Sequence, residues 1–223
     1  MKFPKTALSA EMNDEEDVDL SALFGGQETT VWFPGVPTFY GPDNRAILIA
    51  GEINEHVANT VISQMQQLHI NSQEETISIY VNTVGGDAAS AFAIYDWMRC
   101  LNAPIVGIAY GRCSSAGLPI LMGADLRLAT PRCRFFYHEV IGGYLINSMA
   151  EREEVSKNYT WYQENMKDIL IKRTKINKTI WKKHFAGKTS FYFDSDFALE
   201  MGIIHDQIEE INKKIKLTKN KGK

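Results

Sequence analysis

Cysteine is scarce: Cys100, Cys113 and Cys133 are the only three in 223 residues. An odd, irregular set of that kind excludes a disulfide framework, and no Cys-x-x-Cys pair or Cys/His spacing suggests a metal site. No metal is therefore expected. Reduced, mostly buried thiols in a cytoplasmic compartment are the simplest expectation. No apolar run approaches the roughly 20 residues needed to cross a bilayer, so a membrane is not an expected partner. The opening Met1-Lys2-Phe3-Pro4 lacks the apolar stretch of a secretory signal. Neither charge dominates: 24 basic against 27 acidic residues leave a net charge of -3, which argues against nucleic acid as a partner. No repeat of fixed period is present, so a solenoid is not indicated.

What is present is enough apolar material for a core, 44% of the residues against 23% charged. Charge is uneven along the chain. Residues 1–30, with an acidic run from Glu11 to Asp19, read as a flexible arm, and 212–223 as a basic tail. Residues 31–211 read as the folded domain. Val31 to Asp43 sets Trp32, Phe33, Phe39 and Tyr40 among three prolines and predicts an extended segment.

Ala46 to Ala50, Thr76 to Val81 and Pro104 to Tyr110 predict buried strands. Helices are predicted between them, from Glu55 to His69 with Val57, Val61, Met65 and Leu68 on one face, and from Ala88 to Leu101. A further helix is expected over Ser114 to Met122. Short strands follow at Leu126–Ala129 and Cys133–Tyr137. The longest helix spans Met149 to Thr174, with apolar positions at Val155, Tyr159, Tyr162, Met166, Ile169 and Leu170. Asp194 to Met201 predicts a last helix capped by Asp194, then a strand from Ile203 to Ile208. Alternating strands and helices indicate an α/β layered fold.

Two strand ends carry residues with chemical potential: Gly85-Gly86, and Gly111-Arg112-Cys113-Ser114-Ser115-Ala116-Gly117. Loops at strand ends are where α/β folds gather function. A hydroxyl needs a base and an oxyanion site to act as a nucleophile. The Gly86 and Ala116 N-H groups suit a two-donor oxyanion hole, and His138 follows in the right order. Tight turns and small-residue packing would explain the same dipeptides. His56, His69, His184 and His205 are rival bases, and Cys113 a rival nucleophile explained less well by the glycine loop.

Five motifs, in order, settle between these. Tyr80 to Gly86 is similar to the Tyr-Ile-Asn-Ser-Pro-Gly-Gly loop of the ClpP family, the proteolytic subunits of the Clp protease. Ala93 to Met98 resembles that family's Ala-Ile-Tyr-Asp-Thr-Met helix. Gly111 to Gly117 resembles Gly-Gln-Ala-Ala-Ser-Met-Gly, which implies that Ser115, not Ser114, is the nucleophile. Tyr137-His138-Glu139 with Gly142-Gly143 resembles Ile-His-Gln-Pro-x-Gly-Gly, which implies His138 as base. Ala198 to Ile204 resembles the closing Ala-x-Glu-x-Gly-Leu-Val. The resemblance covers about Ala46 to Ile208. It implies a ClpP/crotonase-type superhelix of ββα units with a protruding long handle helix.

It also implies a serine endopeptidase that cleaves unfolded polypeptides inside an oligomeric chamber, as two stacked rings of seven identical or mixed subunits. No bound cofactor is implied, since ATP would be consumed by a partner AAA+ unfoldase. The departures point the other way. Counting back twelve residues from Gly202 puts Ser190 where the family has the triad Asp. Val84 and Val140 replace prolines, the segment between Ser115 and His138 is shortened, and an N-terminal docking motif is absent. A structural subunit of a mixed ring is therefore the alternative reading. An acyl-CoA enzyme of the crotonase type is the third, weakened because those sites use carboxylates near the oxyanion loop rather than a Ser-His pair.

Overall fold

A computed structural model describes residues 30–33, 36–39, 45–140 and 148–208, all within one compact unit, Gly26–Glu210. The acidic arm and basic tail lie outside these residues, except that Thr30 opens a strand. In chain order the elements are β1 (Thr30–Phe33), β2 (Val36–Phe39), β3 (Ala46–Ile53), α1 (Glu55–Asn71), β4 (Ile77–Gly86), α2 (Ala88–Cys100) and β5 (Ile105–Ser114). Then follow α3 (Gly117–Gly123), β6 (Leu126–Ala129), β7 (Arg134–Tyr137), α4 (Met149–Arg173), α5 (Lys178–His184), β8 (Phe191–Phe193), α6 (Ser195–Glu200) and β9 (Asp206–Gln207). Within the proline-punctuated segment β1 and β2 pair antiparallel, with Trp32 opposite Pro37.

The main sheet runs β3-β4-β5-β6-β9, all parallel. Parallel strands need crossovers, which the intervening helices supply. Sequence and structure agree closely here because the strands are buried on both faces and read as apolar runs. Ile47, Ile49, Ile77, Ile79, Val81 and Ile105 are all essentially inaccessible. On α1, Val57, Val61, Met65 and Leu68 form the buried face as predicted, and Asn54 caps it by accepting from Val57 N. Gly107 lets α3 lie against β5: a Cβ there would stand 2.8 Å from Ala124 Cβ.

Strand β5 is the hinge of the design. Its first half pairs with β6, while Arg112 to Ser114 pair with β7. So β5 forks, and its two neighbours leave by different routes. β7 then pairs antiparallel with β8, Phe135 opposite Phe193 and Tyr137 opposite Phe191. Aromatic rings lock this second layer: Phe135 stacks on Phe193 at 5.3 Å, and Tyr137 meets Trp181 and Phe185 edge-on at 5.5 and 5.1 Å. Alternation along β7 buries Phe135 and Tyr137 and turns Phe136 and His138 to the other, more open face.

Helix α4 runs 25 residues, about 37 Å at 1.5 Å per residue. Only Met166 and Leu170 are buried, both in its second half. Phe92 of α2 meets Tyr162 at 5.8 Å, but Trp161 remains 56% and Met149 77% exposed. The expected apolar positions thus grade along α4: Met166 and Leu170 are buried, while Val155 and Tyr159 nearer its start are only half-buried.

Two expectations are corrected, and two elements were not anticipated. The helix predicted from Ser114 begins at Gly117, because β5 continues through Ser114. The final strand is only Asp206–Gln207, although Ile203, Ile204 and Ile208 are buried beside it. Helix α5 and strand β8 carry no clear periodicity and are settled by the aromatic cluster around them.

One buried cation makes the fold acid-sensitive. Arg127 is 3% exposed, and no carboxylate among the described residues hydrogen-bonds it. Its guanidinium donates to the carbonyls of Ile203, Arg173 and Gly202 at 2.8–3.0 Å. Its backbone N-H donates to Nδ1 of His205 at 3.0 Å, and one guanidinium nitrogen lies 3.0 Å from Nε2. Desolvation, then the charges of Arg127, Arg173 and Lys175, push the His205 imidazole down to about 4. The unfolded chain, with an ordinary histidine near 6.5, then binds more protons between these values. Stability therefore falls as pH drops from about 6.5 to about 4. The ring's outer edge meets solvent, which screens part of the cost. The melting temperature is expected to fall between pH 7.5 and 4.5, and to fall less in His205→Asn. Equal slopes in the two proteins would remove His205 as the cause.

Candidate active site

Ser115 occupies the turn from β5 into α3, with φ at 51°, the one positive value on a non-glycine among the described residues. A left-handed conformation there costs roughly 1 kcal/mol or more, so the surrounding contacts must impose it. They do. Ser115 N donates to Phe136 O at 2.7 Å, and Ser115 O accepts from Leu118 N at 3.0 Å. Ala116 is the residue before α3 and is 2% exposed. The side chain of Ser115 stays partly accessible at this sharp strand-to-helix corner.

The glycine loop closes over the same corner. A Cβ on Gly85 would lie 2.6 Å from Ser115 Cβ, 2.8 Å from Ser114 O and 3.1 Å from Ala116 N. Gly86 answers to a different neighbour: its Cβ would fall 2.1 Å from Ile53 O. Both sit at positive φ, 97° and 149°. Only glycine fits such angles together with such approaches. Thr83, buried and unremarked in the sequence, holds the loop by donating to Gly51 O at 2.5 Å and accepting from Gly85 N at 2.9 Å. This pin does what a proline would have done at Val84, so the replacement does not leave the loop untethered.

His138 follows β7 directly. Since Ser115 N is bonded to Phe136 O, the imidazole's residue lies two positions further along the adjacent strand path. At about 3.3 Å per residue and about 4.8 Å between strands, the two backbones are roughly 8 Å apart, a distance two side chains can span. Ser115 Oγ and His138 do not hydrogen-bond in this state, and such bonds are often long before substrate binds. Phe136 holds the imidazole from one side, with ring centroids 5.3 Å apart, and itself stacks on Tyr192 at 4.2 Å.

Ser190 does not take the place expected of it. The Nδ1 atom of His138 lies 2.6 Å from the backbone carbonyl of Glu139. With β7 ending at Tyr137, residue 138 leaves the ladder and the next carbonyl turns back to the ring. Ser190 is exposed, one residue before β8. Asp194, the nearby carboxylate, is committed to capping α6 through Phe197 N at 3.0 Å. Val140 also departs usefully from proline: its N-H donates to Gln163 Oε1 on α4 at 2.8 Å, and Gln163 Nε2 donates to the Tyr137 hydroxyl. Burial pushes that hydroxyl up to about 12, so it remains an uncharged partner.

The rivals fall away on position. Cys113 is fully buried, and desolvation followed by the neighbouring Cys133 pushes its thiol well up, the opposite of an activated nucleophile. His56 and His69 lie on α1, His184 ends α5, and His205 belongs to the Arg127 cluster. Among the described residues no group of three or more His, Cys, Asp or Glu could hold a metal, and no helix is long and apolar enough to cross a membrane.

Comparison with known proteins bears on the whole arrangement. The Clp protease family profile matches residues 42–211. The ATP-dependent Clp protease proteolytic subunit of Deinococcus radiodurans is 27% identical over 169 residues, covering 75% of this chain and 81% of that one. The structure superposes on a ClpP1 mutant from Listeria monocytogenes with a TM-score of 0.67 and 25% identity, over 75% of this chain and 93% of the other.

Proposed function

The chain belongs to the Clp protease family, and from that premise we propose that it is the proteolytic subunit of a Clp-type protease, a serine endopeptidase with Ser115 as nucleophile and His138 as general base. The observation that carries this is the corner at Ser115. Its left-handed backbone is bonded to the strand that delivers His138 and is covered by the glycine loop.

Ser115 Oγ attacks the scissile carbonyl carbon while His138 Nε2 takes the hydroxyl proton. The tetrahedral oxyanion is met by the N-H groups of Gly86 and Ala116, the Gly85 N-H being committed to Thr83. His138 then gives its proton to the leaving amine, and water hydrolyses the acyl-enzyme by the same route in reverse. An extended, unfolded polypeptide is the substrate that fits a site at strand ends, paired through its backbone. This chemistry calls on no bound cofactor or metal.

The exposed Met149 and Trp161 side chains on α4 support assembly through that helix into two stacked heptameric rings. An AAA+ unfoldase would feed such a chamber and consume the ATP. Three free cysteines suit a reducing, cytoplasmic compartment.

A second reading has its own observation: the sequence has Ser190 where the family's motif has its acid, and no carboxylate among the described residues hydrogen-bonds His138. On that reading the chain is a structural subunit of a mixed ring. Labelling of the assembled protein with a fluorophosphonate separates the two. Modification of Ser115, found by peptide mapping and accompanied by loss of peptide hydrolysis, is the expected result. An assembled, folded protein that takes no label would favour the structural role.

A further inference from the structure

A base without a carboxylate still needs one ring nitrogen fixed, because the neutral imidazole must keep Nε2 free to accept the serine proton. In this chain the group at Nδ1 is the Glu139 carbonyl, at 2.6 Å. A peptide carbonyl accepts but cannot donate, so it selects the tautomer with the proton on Nδ1. That leaves Nε2 as acceptor, the form required for the reaction.

A carbonyl one residue from the ring orients it only if its own peptide is held. Glu139 is held at two other atoms. Its N-H donates to Lys188 O at 3.1 Å, and its Oε1 accepts from Gly187 N at 2.9 Å. Gly187 adopts φ of 67°, a left-handed turn conformation suited to glycine. On the next residue, Val140 N is tied to Gln163 at 2.8 Å. The peptide that faces the imidazole is therefore fixed by the 187–188 turn on one side and by α4 on the other.

We propose that Glu139 is a positioning residue: its side chain clamps the 187–188 turn so that its own carbonyl fixes the His138 tautomer, the role a triad carboxylate plays elsewhere. This rests on the reading of Ser115 and His138 as nucleophile and base. The clamp needs an acceptor at Oε1, not a charge. Glu139→Gln keeps the acceptor, and Glu139→Ala removes it.

The test compares the assembled variants by steady-state hydrolysis of a fluorogenic peptide. In Glu139→Ala, kcat is expected to fall about 10- to 100-fold with KM within about twofold, the scale of a misplacement of about 1 Å. Glu139→Gln is expected to stay within about threefold of the unmodified protein. An alanine variant at full rate, or a glutamine variant as impaired as alanine, would overturn the proposal. Solid-state NMR of the unmodified protein with 15N-labelled histidine gives a readout independent of turnover and of any variant's folding. A proton on Nδ1 of His138 is expected at neutral pH, and a proton on Nε2 would overturn the assignment. Absence of fluorophosphonate labelling in the unmodified protein counts against the peptidase reading, whereas the tautomer counts only against the clamp.

Discussion

Ser115→Ala is expected to reduce peptide hydrolysis about 100-fold and to abolish fluorophosphonate labelling. The size of the effect follows from what is already absent. In a complete serine triad, loss of the nucleophile costs on the order of 10^6 in kcat, and loss of the carboxylate alone on the order of 10^4. The members act as one unit, so their losses do not multiply. A site working without the carboxylate has only the remaining factor, about 10^2, to lose. The fold should survive, because the Ser115 hydroxyl forms no hydrogen bond among the described residues and Ala116 and Leu118 carry the local packing. Hydrolysis rates and intact-mass labelling measure both effects. A variant that hydrolyses peptide at the unmodified rate would remove Ser115 from the mechanism.

Gly85→Ala is expected to cost at least about 100-fold in kcat/KM and roughly 2–3 kcal/mol of stability. Two effects combine. At φ of 97° an L-residue is strained before any contact is considered. The new methyl would then meet Ser115 Cβ at 2.6 Å, Ser114 O at 2.8 Å and Ala116 N at 3.1 Å, none of them the loose end of a flexible side chain. Relief requires moving the nucleophile's own backbone and the oxyanion donor beside it. Gly51→Ala provides the comparison: φ is 79°, but a Cβ there meets nothing within 4 Å. It should cost strain alone, about 1 kcal/mol, and leave kcat nearly unchanged. Chemical denaturation and steady-state kinetics on both variants separate strain from collision. If the two behaved alike, close approach of the glycine loop to Ser115 would not matter to the reaction.

The elements that were legible in the sequence share a cause. Helix α1 shows its buried face as Val57, Val61, Met65 and Leu68 at helical spacing, and Asn54 marks its start. Strands β3 to β5 show as apolar runs because both faces are covered. Strand ends were less legible. β4 runs on through Gly85-Gly86 and β5 through Gly111 to Ser114, since neighbouring strands supply hydrogen bonds that glycine's weak propensity does not predict. Helix α5 and strand β8 are too short for a period to show, and packing of Trp181, Phe185, Phe191 and Phe193 decides them.

The amino-acid order alone determined the layered fold and the residue types brought to the strand ends: a hydroxyl, an imidazole, paired glycines, and serine where an acid was expected. Periodicity and local motif are short-range properties, and these features are short-range. Tertiary structure alone decided what accepts from His138, which glycine presses on Ser115, and that Thr83 pins the loop. Each of those depends on strands far apart in the chain meeting at one register, through the fork in β5, and no local pattern encodes that meeting.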